Sequence, residues 1–419
     1  MIRRRDWLWR STCGLAAWTV ASVTPGQETF GQTTPARKRT SRKRVVRRPV
    51  LPDARKGMAT PGSSNANVRA DERLNRLLEP IRGAHQLPGL IGAVVRGDRL
   101  AAIGAAGVRK LGSAQPIQVQ DQVHIGSCTK AMTATLIGML VDDGLLSWQS
   151  TIAQVFADVA PRLHPAFQTV TLAHLLTHRA GLPHDARWWS LPGLSPTDQR
   201  RAALLELLSK PPLSKPGSVY AYSNAGYVFA GLMAEEATGQ SWEELMQDRL
   251  FQPLGMTTAG FGPPGRRNSS RVDQPWGHHK NHGRIEPVWQ DNARCMGPAG
   301  TAHCSVPDWA RFAALHLRAA EGKPRLLKAA TFRTLRTPPS GFEYAGGWYV
   351  VERPWAGGYA LNHNGSNTFW YVSIWIAPAR DFATLVATNQ GGNAGESGCE
   401  EATRELITLV ASSTSRTIP

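Results

Sequence analysis

Cysteine is scarce in this sequence, long apolar runs are absent, and acidic side chains are outnumbered by basic ones. Five cysteines occur in 419 residues and none forms a Cys-x-x-Cys pair, which argues against a redox dithiol or a zinc ribbon. Cys13 lies near the N-terminus, leaving Cys128, Cys295, Cys304 and Cys399. In an exported chain one disulfide among the last three is compatible with their number, with the connectivity left open. The apolar stretch Gly14 to Val23 has about half of the roughly 20 residues a membrane span needs, so no transmembrane helix is expected. No Walker-type phosphate loop, Gly-x-Ser-x-Gly elbow or His-Glu-x-x-His occurs, which removes the common NTPase, α/β-hydrolase and zinc-protease readings.

The excess of basic charge is local. Of 48 Lys+Arg and 31 Asp+Glu, residues 1–60 hold 14 and three, a net of +11 out of +17. The first part of this tail, MIRRRDWLWR followed by GLAAWTVASV, has the basic start and short apolar segment of an export signal, here placed over 1–24. Arg4-Arg5-Asp6-Trp7-Leu8 resembles a twin-arginine pattern, which predicts a periplasmic or cell-envelope location, and an organelle transit peptide is the alternative. Residues 25–69 read as a disordered linker. Its tract 36–57, ARKRTSRKRVVRRPVLPDARKG, has too few apolar residues to fold and too much like charge to collapse. It is either a solvated tail or an attachment to an anionic envelope surface; no specific nucleic-acid partner is expected.

With 42% hydrophobic side chains the rest of the chain can bury a large core. One domain is predicted over 70–412, followed by a short tail, 413–419. Leu74, Leu77, Leu78 and Ile81 form a helical stripe, and the runs 90–95 and 100–106 around Gly97-Asp98 read as a hairpin. Met132, Leu136, Met139 and Leu140 continue a helix from Ser127, with Gly144 placed to end it. Ser195-Pro196 and the Ser241/Glu244 capping box start further helices. Strand patterns return at 347–351, 359–363, 369–377 and 383–389, before a last helix near 396–411. Strands at both ends and helices between predict an α/β (α+β) fold, an antiparallel sheet built from both ends with a mostly helical insertion. A cleft between the two is the expected site.

Three motifs carry chemistry. Ser127 and Lys130, in HIGSCTK (124–130), are three apart at a helix start, so an amine can reach the hydroxyl and activate it as a nucleophile. Tyr222-Ser223-Asn224 offers a phenol for proton transfer and an amide for a substrate carbonyl. His363-Asn364-Gly365 closes a predicted strand. Cys128, beside the nucleophile on another helix face, is expected to be a packed thiol. His278, His279 and His282 are expected to lie in a Gly-rich cleft-edge loop, and His174, His178 and His184 to be structural. Trp188, Trp189, Trp348, Trp355, Phe369 and Trp370 are candidates for core or for an apolar acyl pocket.

These motifs in this order, with VTLAHLLTHRAGLP (170–183), residues 216–256 and GPAGTAHCSVPDWARF (297–312), make the chain resemble the serine β-lactamase and penicillin-binding-protein superfamily over 72–410. The resemblance is to its class C-like branch, which includes D,D-carboxypeptidases, D-aminopeptidases and family VIII esterases. It implies acyl-enzyme formation at Ser127, with Lys130 and Tyr222 sharing the acid and base work. It also implies an oxyanion hole from the N–H groups of Ser127 and of Ser366 after Gly365, substrate orientation by Asn224, and no cofactor or metal. The implied substrate is a small ester, amide or D-amino-acid peptide; a slow penicillin-binding or wall-peptide-sensing role is the alternative. His363 stands where β-lactamases of this branch carry a lysine. An ordinary histidine is mostly neutral at pH 7, which weighs against efficient hydrolysis of β-lactams.

Overall fold

The computed structural model describes residues 68–414, apart from 190–192, 270 and 324. The expected signal at 1–24, the linker with its tract 36–57, and nearly all of the tail at 413–419 lie outside the described residues.

Strands β1 (Gly89–Arg96) and β2 (Arg99–Gly107) form the predicted hairpin around Gly97. In the central region β3 (Gln122–His124), β4 (Gly260–Phe261), β5 (Gly277–Asn281), β6 (Arg284–Val288) and β7 (Ala302–Ser305) are short. The last strands are β8 (Tyr349–Arg353), β9 (Gly358–Ser366), β10 (Tyr371–Ala377) and β11 (Phe382–Thr388). The main sheet runs β2-β1-β11-β10-β9-β8. Its seam is the antiparallel pair β1/β11, with Ile91 opposite Ala387, so the two ends of the domain share one sheet. A second sheet is β3-β7-β4, and β5 and β6 pair alone.

Helices α1 (Glu72–Ala84), α2 (Thr129–Asp142), α3 (Pro196–Leu208), α4 (Asn224–Thr238), α5 (Val306–Ala320) and α6 (Gly392–Thr414) are the long ones. The sheet is buried on both faces, as strand parity shows. Ile91, Ala93 and Val95 join the large core that includes α2, α4 and α5. On the opposite face a Cβ on Gly92 would lie 3.0 Å from the side chain of Leu78 and 3.3 Å from that of Leu406, so α1 and α6 cover that side. Strands β10 and β11 are consequently buried at every position, which explains their near-continuous apolar sequence.

The helix starts follow their capping residues: Ser195 caps α3 ahead of Pro196, and Ser241 and Glu244 form the predicted box. Helix α2 departs from the amphipathic expectation. Residues 129–140 are buried on all sides, because sheet and helical insertion enclose it together.

Two glycines bring the end of β9 against the start of α2. Gly126 is left-handed at φ 48°, and a Cβ there would lie 2.4 Å from Ser366 N; one on Gly365 would lie 2.1 Å from Ile125 O. Gly365→Ala must therefore move β9 away from the Ser127 turn. We expect it to lower stability by about 1–3 kcal/mol, read as a fall in Tm, and to reduce labelling of Ser127 by an active-site probe at least tenfold.

Candidate active site

Ser127 occupies the 3-10 turn Gly126–Cys128 that runs into α2. A spacing of three places Lys130 one turn further on the same side, with Nζ 3.0 Å from Ser127 Oγ. Ser127 is half-buried, whereas Lys130 has no exposed surface. Burial disfavours the ammonium and pushes the Lys130 pKa from 10.5 down to about 7, against the opposing pull of Asp185 and Cys128.

The amine has two further partners, Asn224 Oδ1 at 2.8 Å and Ala299 O at 2.7 Å. A neutral amine has two N–H donors and one lone pair. The two carbonyl oxygens accept the donors, so the lone pair is left for the hydroxyl proton of Ser127. Asn224 is locked in this orientation because its Nδ2 donates to Asp185 Oδ1 at 3.1 Å. Asp185 also accepts Trp188 Nε1 at 2.7 Å and pairs with His184. Partial burial pushes its carboxyl up, but the hydrogen bonds from His184, Trp188 and Asn224 outweigh this and hold it below its usual value.

Asn224 is also the first residue of α4, whose N-cap Ser223 accepts from Gly226 N through its side chain. Tyr222 thereby lies just outside the helix, with its hydroxyl turned toward Ser127 and its ring 4.8 Å from Lys130 Nζ. Enclosure of that hydroxyl, more than the nearby phenols, pushes its pKa well above 10, so Tyr222 stays a neutral proton donor. Behind it the His178 ring packs at a tilt with its centroid 4.3 Å away, and its Nδ1 accepts from Ser223 N at 3.1 Å. His178 holds a left-handed φ of 54°, uncommon for a side-chain-bearing residue.

His363 is buried behind Tyr222, its ring centroid 6.4 Å away. Its Nδ1 donates to Asn364 O at 2.6 Å, so Nε2 accepts the Tyr344 hydroxyl at 3.1 Å. Burial, then repulsion from Lys130, lowers its pKa to about 3; the ring is neutral at any physiological pH.

Ser127, Lys130, Tyr222 and Asn224 thus converge directly, and Gly365 and Ser366 abut the Ser127 turn. Asn224, expected to face a substrate carbonyl, has its oxygen committed to Lys130 and one amide contact committed to Asp185. Sequence reading missed Ala299, Asp185, His178 as a support for Tyr222, and Tyr344. GLPHD at 181–185 carried a signal for Asp185, a lone acid two residues past the quoted block.

The remaining candidates are placed as well, some of them differently from expectation. Cys295, Cys304 and Cys399 form no disulfide: all four described cysteines are free and buried, with Cys295 Sγ against Trp188 O and Cys399 Sγ against Tyr371 O. Cys128 is a packed thiol, as expected, whose Sγ donates to His363 O at 3.3 Å, and burial raises its pKa. His278 and His279 lie on β5 and His282 in its turn, so this segment is a hairpin instead of a loop. Both ring nitrogens of His278 are engaged, Nδ1 with Asn389 O and Nε2 with Leu111 N. Of the six aromatics only Trp188 is seen to touch the site, through Asp185; Trp348 and Trp370 are core and Trp189 is 68% exposed.

A family profile described as Beta-lactamase matches residues 74–407. Penicillin-binding protein 4 of Amycolatopsis lactamdurans is 28% identical over 324 residues, 75% of this chain and 84% of that protein. Lovastatin esterase of Penicillium rubens is 30% identical over 184 residues, 39% of this chain and 46% of the esterase. The crystal structure of SurE superposes with a TM-score of 0.67 at 25% identity, covering 81% of this chain and 75% of that one.

The buried amine predicts a stability trade. Lys130→Met removes a group that is costly to bury charged, and is expected to raise stability by about 1–3 kcal/mol while abolishing activity. Below the folded pKa near 7 the buried amine must keep its proton, and the penalty fades as pH rises toward 10.5. The gain in Tm is therefore larger at pH 6 than at pH 9, measurable by calorimetry.

Proposed function

Because the chain belongs to the Beta-lactamase family, we propose that it is a serine hydrolase that opens a small ester or amide by acyl transfer through Ser127. The observation that carries this is the Lys130 amine, 3.0 Å from Ser127 Oγ with both its other contacts on carbonyl oxygens. Ser127 gives its proton to the Lys130 lone pair as Oγ adds to the substrate carbonyl. The oxyanion is held by the N–H groups of Ser127 and Ser366, a device worth about 3 kcal/mol per donor. The Tyr222 phenol protonates the leaving group and regains a proton from Lys130. Water then releases the acyl group by the same steps reversed.

Within this chemistry, the neutral His363 favours substrates without a carboxylate next to the scissile bond. Penicillins, cephalosporins and peptides ending in D-alanine all carry one, and above a pH of about 3 His363 brings no positive charge to it. The esterase-type reading is preferred on that ground over carboxypeptidase and β-lactamase activity. The relative named a penicillin-binding protein supports the second reading, a slowly deacylating penicillin-binding or wall-peptide sensor. Export by the signal at 1–24, and adhesion of residues 36–57 to an anionic envelope surface, rest on the sequence.

The test is intact mass spectrometry and turnover of the full chain with p-nitrophenyl butyrate and a labelled penicillin. We expect a transient butyryl adduct on Ser127, at least about 10³-fold slower turnover in Ser127→Ala, and penicillin reacting more slowly than the ester. A stable penicillin adduct without ester turnover would establish the sensor reading. Only the free amine accepts the serine proton, so kcat/KM should fall about tenfold per pH unit below about 7 and level off above it.

A further inference from the structure

Asp291 lies between β6 and β7, with a side chain only 6% exposed, and takes no part in the chemistry above. Its Oδ1 accepts from Asn292 N at 2.7 Å and Asn367 Nδ2 at 2.9 Å, and lies 2.8 Å from His124 Nε2. His124 has no exposed surface, and its Nδ1 accepts from Gly126 N at 3.1 Å. With Nδ1 accepting, the ring proton sits on Nε2, which packs against the carboxylate at 2.8 Å without directing its N–H at it. A single carboxylate oxygen therefore packs against His124, whose ring holds the residue before Ser127, and is hydrogen-bonded to Asn367, the residue after Ser366.

These are the two residues flanking the proposed oxyanion-hole donors. On one side the His124 ring fixes the N–H of left-handed Gly126, which sets the direction in which Ser127 leaves the turn. On the other, Asn367 Oδ1 accepts from Phe369 N at 3.2 Å, while Ser366 Oγ accepts from Thr368 N at 3.0 Å. Between them Thr368 has a φ of 79°, unusual for a β-branched residue, so this turn is held against its own preference. The next residue, Asn292, donates from Nδ2 to Gly300 O at 2.8 Å, beside the Ala299 carbonyl that Lys130 uses.

We propose that Asp291 is a positioning residue that sets the separation of the Ser127 and Ser366 N–H groups through His124 and Asn367. The proposal rests on the reading of Ser127 as nucleophile. Ground-state binding does not need the two donors in register, whereas the tetrahedral intermediate does.

The experiment measures phosphonylation of the full chain by an alkyl fluorophosphonate, read by intact mass, alongside kcat and KM for p-nitrophenyl butyrate. Folding of each variant is followed by thermal melting. Asp291→Ala should be labelled about 100-fold more slowly, with kcat falling in proportion and KM within about twofold. Asp291→Asn retains an Oδ1 acceptor and should stay within about tenfold of wild type. Asp291 Oδ2 is buried without a partner among the described residues, so the new amide nitrogen gains nothing there. Asn367→Ala, which leaves the His124 arm intact, should lose about tenfold and carries the test if Asp291→Ala does not fold. A folded Asp291→Ala, or in its place Asn367→Ala, labelled at the wild-type rate overturns the proposal, as does a loss expressed equally in KM. If the wild type takes no label, or Ser127→Ala takes as much, the nucleophile reading falls and this proposal with it. Labelling of Ser127 that ignores Asp291 removes the positioning role alone.

Discussion

The structure depends on keeping one amine out of water without giving it a counter-ion at contact distance. A lysine on the fully enclosed helix α2 can be tolerated only if its proton is easily lost and its N–H groups are satisfied. Several unrelated features serve that need. Gly231 on α4 has no side chain, which lets Pro298 pack where a Cβ would lie 2.3 Å from its ring, and this brings the Ala299 carbonyl to the amine. Asn224 heads the same helix and presents its oxygen because Asp185 holds its nitrogen. The ionised Asp185 acts at one remove, moderating the fall in basicity without pinning the proton on Lys130.

The elements were legible where local chemistry decides them. The hairpin around Gly97, the caps at Ser195 and Ser241 and the apolar closing strands follow from turn, cap and burial patterns that act within a few residues. Ser127 and Lys130 were legible because a helix start puts fixed spacings on one face, and Tyr222 and Asn224 because they share one short Tyr-x-Asn motif. What could not be read was whatever depends on a backbone atom or on a partner far along the chain. Ala299 contributes a carbonyl that any residue would carry. Asp291 matters because strands separated in sequence bring His124 and Asn367 to it. The buried surroundings of α2 were hidden too: its sequence supports a stripe, and only the enclosing layers show that no face meets solvent. The state of the cysteines was left open for a similar reason, since number says nothing about where each thiol is packed.

The environment of His363 separates shape from charge at this site. Tyr344 and the Asn364 carbonyl use both ring nitrogens, and Tyr220 and Tyr349 add a hydroxyl pair at 2.7 Å beside them. This wall of rings can pack against a flat or apolar group but holds no permanent cation. Selectivity between substrates would then come mainly from what each must desolvate: a carboxylate loses its water here without a replacement, while an alkyl ester loses little.

The β1/β11 seam also constrains how the molecule comes into being. Ile91 meets Ala387, a partner about 300 residues away, so the first hairpin leaves the ribosome long before its neighbouring strand exists. The Ser127 turn waits in the same way for Ser366 and Asn367. A nascent or truncated chain therefore carries the serine and the lysine but no assembled reaction centre. Hydrolytic competence would then arrive at the end of synthesis, together with the closing of the sheet.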